Sequence, residues 1–177
     1  KNFQGSVSRS TAVLDDDDLT TKQYVDSIQQ GQVISFNTSG LAPDSWITIA
    51  SVGPKTTQSQ KQRADAEFEF TNNMSAAHQR ITVRASHIYS IGHNLDVIKN
   101  VKYGDGNRRQ IKAFRIAYGN IYDGGLLQMQ LGDNDPATSH VPINLRVLNN
   151  NNDYGWYIDS NLINNTVISD SLPIGYN

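Results

Sequence analysis

The chain has 177 residues, 37% hydrophobic and 18% charged, which is enough for one packed domain with an extra segment and short for two full domains. No apolar run approaches the roughly 18 to 20 residues of a membrane-spanning helix, and a formal charge of −2 argues against a chain built to neutralise nucleic-acid phosphates or anionic lipid. There is no cysteine, so disulfide frameworks, thiolate zinc sites and cysteine nucleophiles are excluded.

Fifteen of the seventeen acids are Asp, and Glu67 and Glu69 are the two Glu. Asp and Asn compete with the helical backbone and favour turns. With thirteen Gly and many Val, Ile, Thr and Tyr, they point to an all-β chain of strands joined by tight turns. The chain opens at Lys1 without Met, signal peptide or transit-like segment, and is expected to be a piece of something longer.

In chain order, the first predicted element is a helix from Thr20 to Gly31. Thr20 caps it, Gln23 completes a capping box and Gly31 supplies the stop. Asp15 to Asp18 precede it, at the end where the helix dipole favours negative charge. Thr21, Tyr24, Val25 and Ile28 form one narrow stripe at helical spacing. About ten residues is too short for a helix to stand alone in water, so this stripe must pack on its own domain or on copies from neighbouring chains.

From Trp46 onward the pattern has period two, the mark of half-buried strands. Apolar positions alternate through Ala66–Phe70, Ile81–Ala85, Phe114–Tyr118, Leu127–Leu131 and Ile143–Val147. Less regular strands are expected at Trp46–Val52, Leu95–Tyr103 and Trp156–Ile158. Asn72-Asn73, Gly104 to Asn107, Asp123 to Gly125, Gly132 to Pro136 and Asn149 to Asp153 read as the turns between them. About eight strands fit a β-sandwich of jelly-roll type better than a barrel or a propeller.

Few residues suggest chemistry. Four consecutive acids at Asp15 to Asp18 cannot all face one ion. Asp105-Gly106-Asn107 and Asp133-Asn134-Asp135 have calcium-loop composition but read first as turns. His78, His87, His93 and His140 contain no HExxH or HxH pair, so no metal is expected. His87 shares a strand face with Ile81, Val83 and Ala85 and reads as a hydrogen-bonded interior or interface residue. Glu67 and Glu69 are neighbours on one strand face, whereas glycosidase carboxyls flank a cleft. No nucleophile elbow, P-loop or dinucleotide fingerprint is present, and neither a catalytic residue nor a cofactor is expected. The loop set is richer: Tyr118, Tyr122, Tyr154, Trp156 and Tyr157 lie in or beside Asn- and Asp-rich turns, a mixture suited to sugars. Trp156 is expected to be buried. Tyr122, Asp123, Asn150, Asn151, Asn152 and Tyr154 are the candidate binding residues.

Asp17-Asp18-Leu19-Thr20-Thr21-Lys22-Gln23-Tyr24-Val25-Asp26 resembles the D-x-x-T-K-x-Y-V-D segment of tail fibres and related adhesins of tailed phages. There the segment is a short helical neck packed about a threefold axis. The later stretches Asn94–Ile98, Ile111–Tyr118 and Leu126–Leu131, with Gly155-Trp156-Tyr157, are similar to strands of jelly-roll-like fibre heads. Some phage fibre tips hold iron through HxH pairs, which this chain lacks. The resemblance implies residues 1–18 as a shaft end, 19–31 as a trimerising neck with Thr21, Tyr24, Val25 and Ile28 inward, and 32–177 as the head. It further implies a homotrimer at the virion surface that binds a host-surface glycan or protein, without nucleic-acid binding or membrane insertion. A rival reading is a trimerisation and assembly domain that never touches the host, and a tailspike-like hydrolase is the enzyme rival.

Overall fold

A computed structural model describes residues 31–52, 63–74, 77–88, 90–104, 111–118, 124–132, 142–150 and 155–169. Its strands are β1 (Val33–Asn37), β2 (Trp46–Val52), β3 (Arg63–Met74), β4 (Ala77–Ile88), β5 (Gly92–Gly104), β6 (Ile111–Ala117), β7 (Gly125–Leu131), β8 (Pro142–Asn150) and β9 (Tyr157–Ile158). One helical turn, α1 (Ser160–Ile163), follows, and Asp159 caps it by accepting from the Asn161 N–H. The predicted helix and its stripe, Thr21, Tyr24, Val25 and Ile28, lie outside the described residues.

Two sheets form, one of five strands in the order β1-β8-β3-β4-β5 and one of four in the order β6-β7-β2-β9. Every pairing is antiparallel. Because side chains alternate across a strand, one face of each sheet collects the apolar residues. Phe36, Phe68, Phe70, Ile81, Val83 and Leu145 from the first sheet meet Ile47, Leu127, Met129 and Leu131 from the second in a single core. The Phe70 and Phe114 rings meet 4.9 Å apart at the seam. Trp156 is buried as expected, and its indole Nε1–H donates to the Ala85 carbonyl at 2.9 Å.

One polar group bridges the sheets inside this core. Gln79 of β4 is buried, its Nε2 donates to the Ile111 carbonyl at 2.9 Å, and its Oε1 accepts from the Ile111 N–H at 2.8 Å. The side chain thereby imitates a strand residue where β6 begins and satisfies both backbone groups of Ile111.

Three expectations need correction. Asn72-Asn73 is not a turn: β3 continues through it, with Asn72 opposite Gln79 and Ile143. Asn149 and Asn150 complete β8 rather than leave it, held opposite Glu67 and Ala66. A further strand, β1, stands ahead of those predicted, paired with β8.

β5 is the edge of the broad sheet. Leu95 packs against the core, yet Val97, Ile98 and Val101 are 51%, 56% and 47% exposed. A register shift opposite Thr82 and Val83 bends the strand there. Among the described residues no helix is long and apolar enough to cross a membrane.

Candidate functional site

The outward face of the five-stranded sheet carries the densest polar array. Inward placement of Ala64, Ala66, Phe68 and Phe70 turns Asp65, Glu67, Glu69 and Thr71 outward along β3. The neighbouring strands answer with cations. Arg80 of β4 meets Glu69 through Nε at 3.0 Å and Nη2 at 3.2 Å, and Arg84 forks onto Asp65 at 3.1 and 2.8 Å. The hydrogen bond to Asp65 and that residue's charge raise the Arg84 pKa. The face is therefore a ladder of acids on β3 and arginines on β4.

Two open grooves cross this face. The first, of about 450 Å³, draws residues from all five strands: Val33 of β1, Asn144 and Arg146 of β8, Glu69 and Thr71 of β3, His78 and Arg80 of β4, and Val101 of β5. Register fixes its layout, because Arg146 stands opposite Glu69 on one side and Val33 on the other, and Asn144 stands opposite Thr71. Both Glu69 oxygens are engaged by Arg80. The Thr71, Asn144 and Arg146 side chains enter no hydrogen bond or ion pair among the described residues. The second groove, of about 490 Å³, lies towards the other end of the strands around Asp65, Arg84, Ser86, Asn94 and Asp96. There the acids are taken by Arg84 and by the Asn94 amide, which donates to Asp96 at 2.7 Å.

The opposite face, on the four-stranded sheet, holds a tighter cluster. Arg115 of β6 stacks on the Trp46 ring, 3.7 Å from its centroid. Its Nε donates to Gln128 Oε1 at 2.8 Å, and Gln128 Nε2 donates to Thr48 Oγ1 at 3.2 Å. Burial lowers the Arg115 pKa, and one guanidinium nitrogen, Nη2, is buried without a partner among the described residues.

His87 is interior, as expected, at 1% exposure, but it is not hydrogen-bonded: neither Nδ1 nor Nε2 has a partner among the described residues. It faces Ala64 on β3 and His93 on β5, and the His93 ring in turn lies 4.3 Å from that of Tyr118. Burial, then the His93 charge, pushes the His87 pKa down, and burial does the same to His93. Among the described residues no three His, Asp or Glu converge as metal ligands.

Of the candidate receptor-binding residues, Asn150 is described, and its amide is held at both ends by Trp156. Nδ2 donates to the Trp156 carbonyl and Oδ1 accepts from the Trp156 N–H, each at 3.0 Å. Tyr122, Asp123, Asn151, Asn152 and Tyr154, and the loops at 105–107 and 133–136, lie outside the described residues. The groove residues Thr71, Asn144 and Arg146 were not among the candidates. No sequence motif joins them, since pairing between distant strands is what brings them together.

No family model matches this chain, and no curated protein matches it in sequence. A solved structure similar to it is that of the Acinetobacter phage vB_ApiP_P1 tailspike protein, with a TM-score of 0.40 and 8% identity over 90% of this chain and 25% of that one. The chain thus spans about a quarter of that protein's length.

Proposed function

We propose that this chain is the trimeric receptor-binding tip of a viral fibre of tailed-phage type, displayed outside the cell at the virion surface and attaching to a host-surface glycan or protein. The observation that carries the reading is the open groove across all five strands of the broad sheet, into whose lining Thr71, Asn144 and Arg146 bring side chains that enter no hydrogen bond or ion pair among the described residues. A preformed polar surface of this kind suits reversible recognition of a hydroxyl-rich partner. The segment from Asp17 to Asp26 supports it, because its likeness to phage-fibre necks suits a threefold junction just ahead of the sandwich. The nested pairing of β1 with β8 and of β2 with β7 supports a jelly-roll-like head. In this reading residues 1–18 continue an upstream shaft and 19–31 form the neck. Threefold presentation then raises a weak single-site affinity through avidity.

The reading is one of binding without catalysis. Glu67 and Glu69 share one face and Arg80 engages the second of them, whereas glycoside hydrolysis sets two carboxyls on opposing sides of a bond. No cofactor, nucleic-acid or membrane-inserting role forms part of it.

A second reading, a fibre assembly module, is favoured by the exposed aliphatic residues of the β5 edge, since such patches mark association surfaces. Light scattering of the 177-residue chain, with and without polar substitutions at Tyr24, Val25 and Ile28, tests the shared premise. A trimer weakened by the substitutions is expected, and a monomer in both refutes the fibre reading. Binding of the labelled chain across a panel of bacterial strains separates the two. Attachment to a subset, abolished by periodate or protease treatment of the cells, supports the receptor-binding tip. A trimer that binds no strain supports the assembly module.

A further inference from the structure

We propose that the groove spanning β1, β8, β3, β4 and β5 takes an anionic sugar unit of uronic-acid type, with Arg146 holding its carboxylate. The proposal deepens the attachment reading by naming the chemistry of the ligand. It begins with charge. Glu69 is the acid that faces Arg146 across the β3–β8 ladder, but Arg80 binds both of its carboxylate oxygens, at 3.0 and 3.2 Å. Arg80 and Glu69 therefore neutralise each other, and among the described residues Arg146 remains as a cation without an ion-pair partner, inside a groove of a chain whose formal charge is −2. A guanidinium matches a carboxylate in planar geometry and donor spacing.

The neighbours of Arg146 suit the rest of a sugar. Asn144 lies two residues away on the same strand face, roughly 6 to 7 Å along the strand. Thr71 stands directly across from Asn144, which sets their Cβ atoms about 5 Å apart. An amide and a hydroxyl beside a guanidinium span a pyranose ring, with donors and acceptors for its hydroxyls. Val33, opposite Arg146, is 48% exposed, and Val101 is also exposed on the far strand, so aliphatic surface borders the groove where a ring's C–H face can lie. The second groove also has Arg63 in its lining, but its acids and Arg84 are already paired and its amide, Asn94, is engaged by Asp96, so no open amide stands there beside a cation.

The test is a titration of the 177-residue chain, followed by NMR chemical shifts, with tetragalacturonate, its methyl ester, the neutral galactose tetramer and a galactose phosphate. The tetragalacturonate is expected to bind most tightly, with binding weakening as salt is raised through the physiological range. Arg146→Gln is expected to lose roughly five- to tenfold in affinity for the acid and nothing for the neutral tetramer. Arg146→Lys is expected to recover part of the loss. Arg146 is exposed and has no ion pair among the described residues, so these variants should melt as the parent does. Equal affinity for acid and ester, an unchanged Arg146→Gln, binding of the phosphate alone, or shifts confined away from Asn144 and Thr71 would each overturn the assignment. The outcome is separable from the fibre reading. A trimer that adheres to cells but ignores uronates rejects this proposal alone, and a monomer that binds them through Arg146 rejects only the fibre.

Discussion

Gln79 offers the sharpest test of how the two sheets are joined. Its amide closes a reciprocal pair of hydrogen bonds with the backbone of Ile111, at 2.9 and 2.8 Å, within the core. Gln79→Ala removes both partners at once and leaves a buried N–H and a buried C=O facing a void. Each orphaned group costs about 1–3 kcal/mol, so the loss is expected at about 3–5 kcal/mol once partial relaxation is allowed. For a chain of this length that is a drop of roughly 6–20 °C in Tm. Gln79→Glu keeps the shape and, while protonated, still donates to the Ile111 carbonyl, but ionisation removes that donor and buries a charge, so it is expected to be destabilising and to worsen as pH rises. Urea unfolding, followed by far-ultraviolet circular dichroism and by tryptophan fluorescence, measures both variants. Gln79→Ala costing less than about 1 kcal/mol would refute the reasoning, because water or a shifted strand end would then be serving Ile111 equally well.

The other predictions concern His87, Arg115 and Trp156. The folded-state pKa of His87 lies below its ordinary value near 6.5, through burial and then the His93 charge. The unfolded chain therefore binds more protons below that pH, stability falls as pH drops through about 6.5 towards the folded value, and above it His87 contributes no pH dependence. His87→Leu should flatten this acid limb, and urea midpoints measured between pH 7.5 and 5 that fall equally in both proteins would contradict it. At Arg115, replacement by Met strands the Gln128 Oε1 that its Nε now serves, whereas the Arg115→Met/Gln128→Leu pair removes donor and acceptor together. The single change is expected to cost about 1–3 kcal/mol and the double change less, and a double-mutant cycle without coupling would dissolve the pair. Trp156→Phe removes the donor to Ala85 O and should cost about 1–3 kcal/mol. Trp156 and Trp46 are the two tryptophans of the chain, so the emission remaining in that variant reports the Arg115-stacked Trp46.

What the sequence made legible follows from which forces act locally. Phe68 and Phe70, Ile81 and Val83, Leu127 and Met129, and Leu145 and Val147 each alternate with polar residues, and each falls inward as that alternation requires. β1 escaped because Ile34 and Phe36 are too few to set a period, and its place depends on β8, more than a hundred residues later in the chain. The asparagines misled for a related reason. Asn72 and Asn149 have turn chemistry, yet a strand ends where its ladder partners end, and β3 and β8 hold each other extended through those positions. At Asn150 the same chemistry is used differently, since the amide brackets the backbone of Trp156 and so joins the end of β8 to the chain returning towards β9. The groove was hidden more deeply still. Arg146 acquires its open charge because Arg80, sixty-six positions earlier, binds the acid that register places opposite it. A charge becomes available for a ligand through pairings that deny it an internal partner, and those pairings belong to the sheet, not to any stretch of the chain.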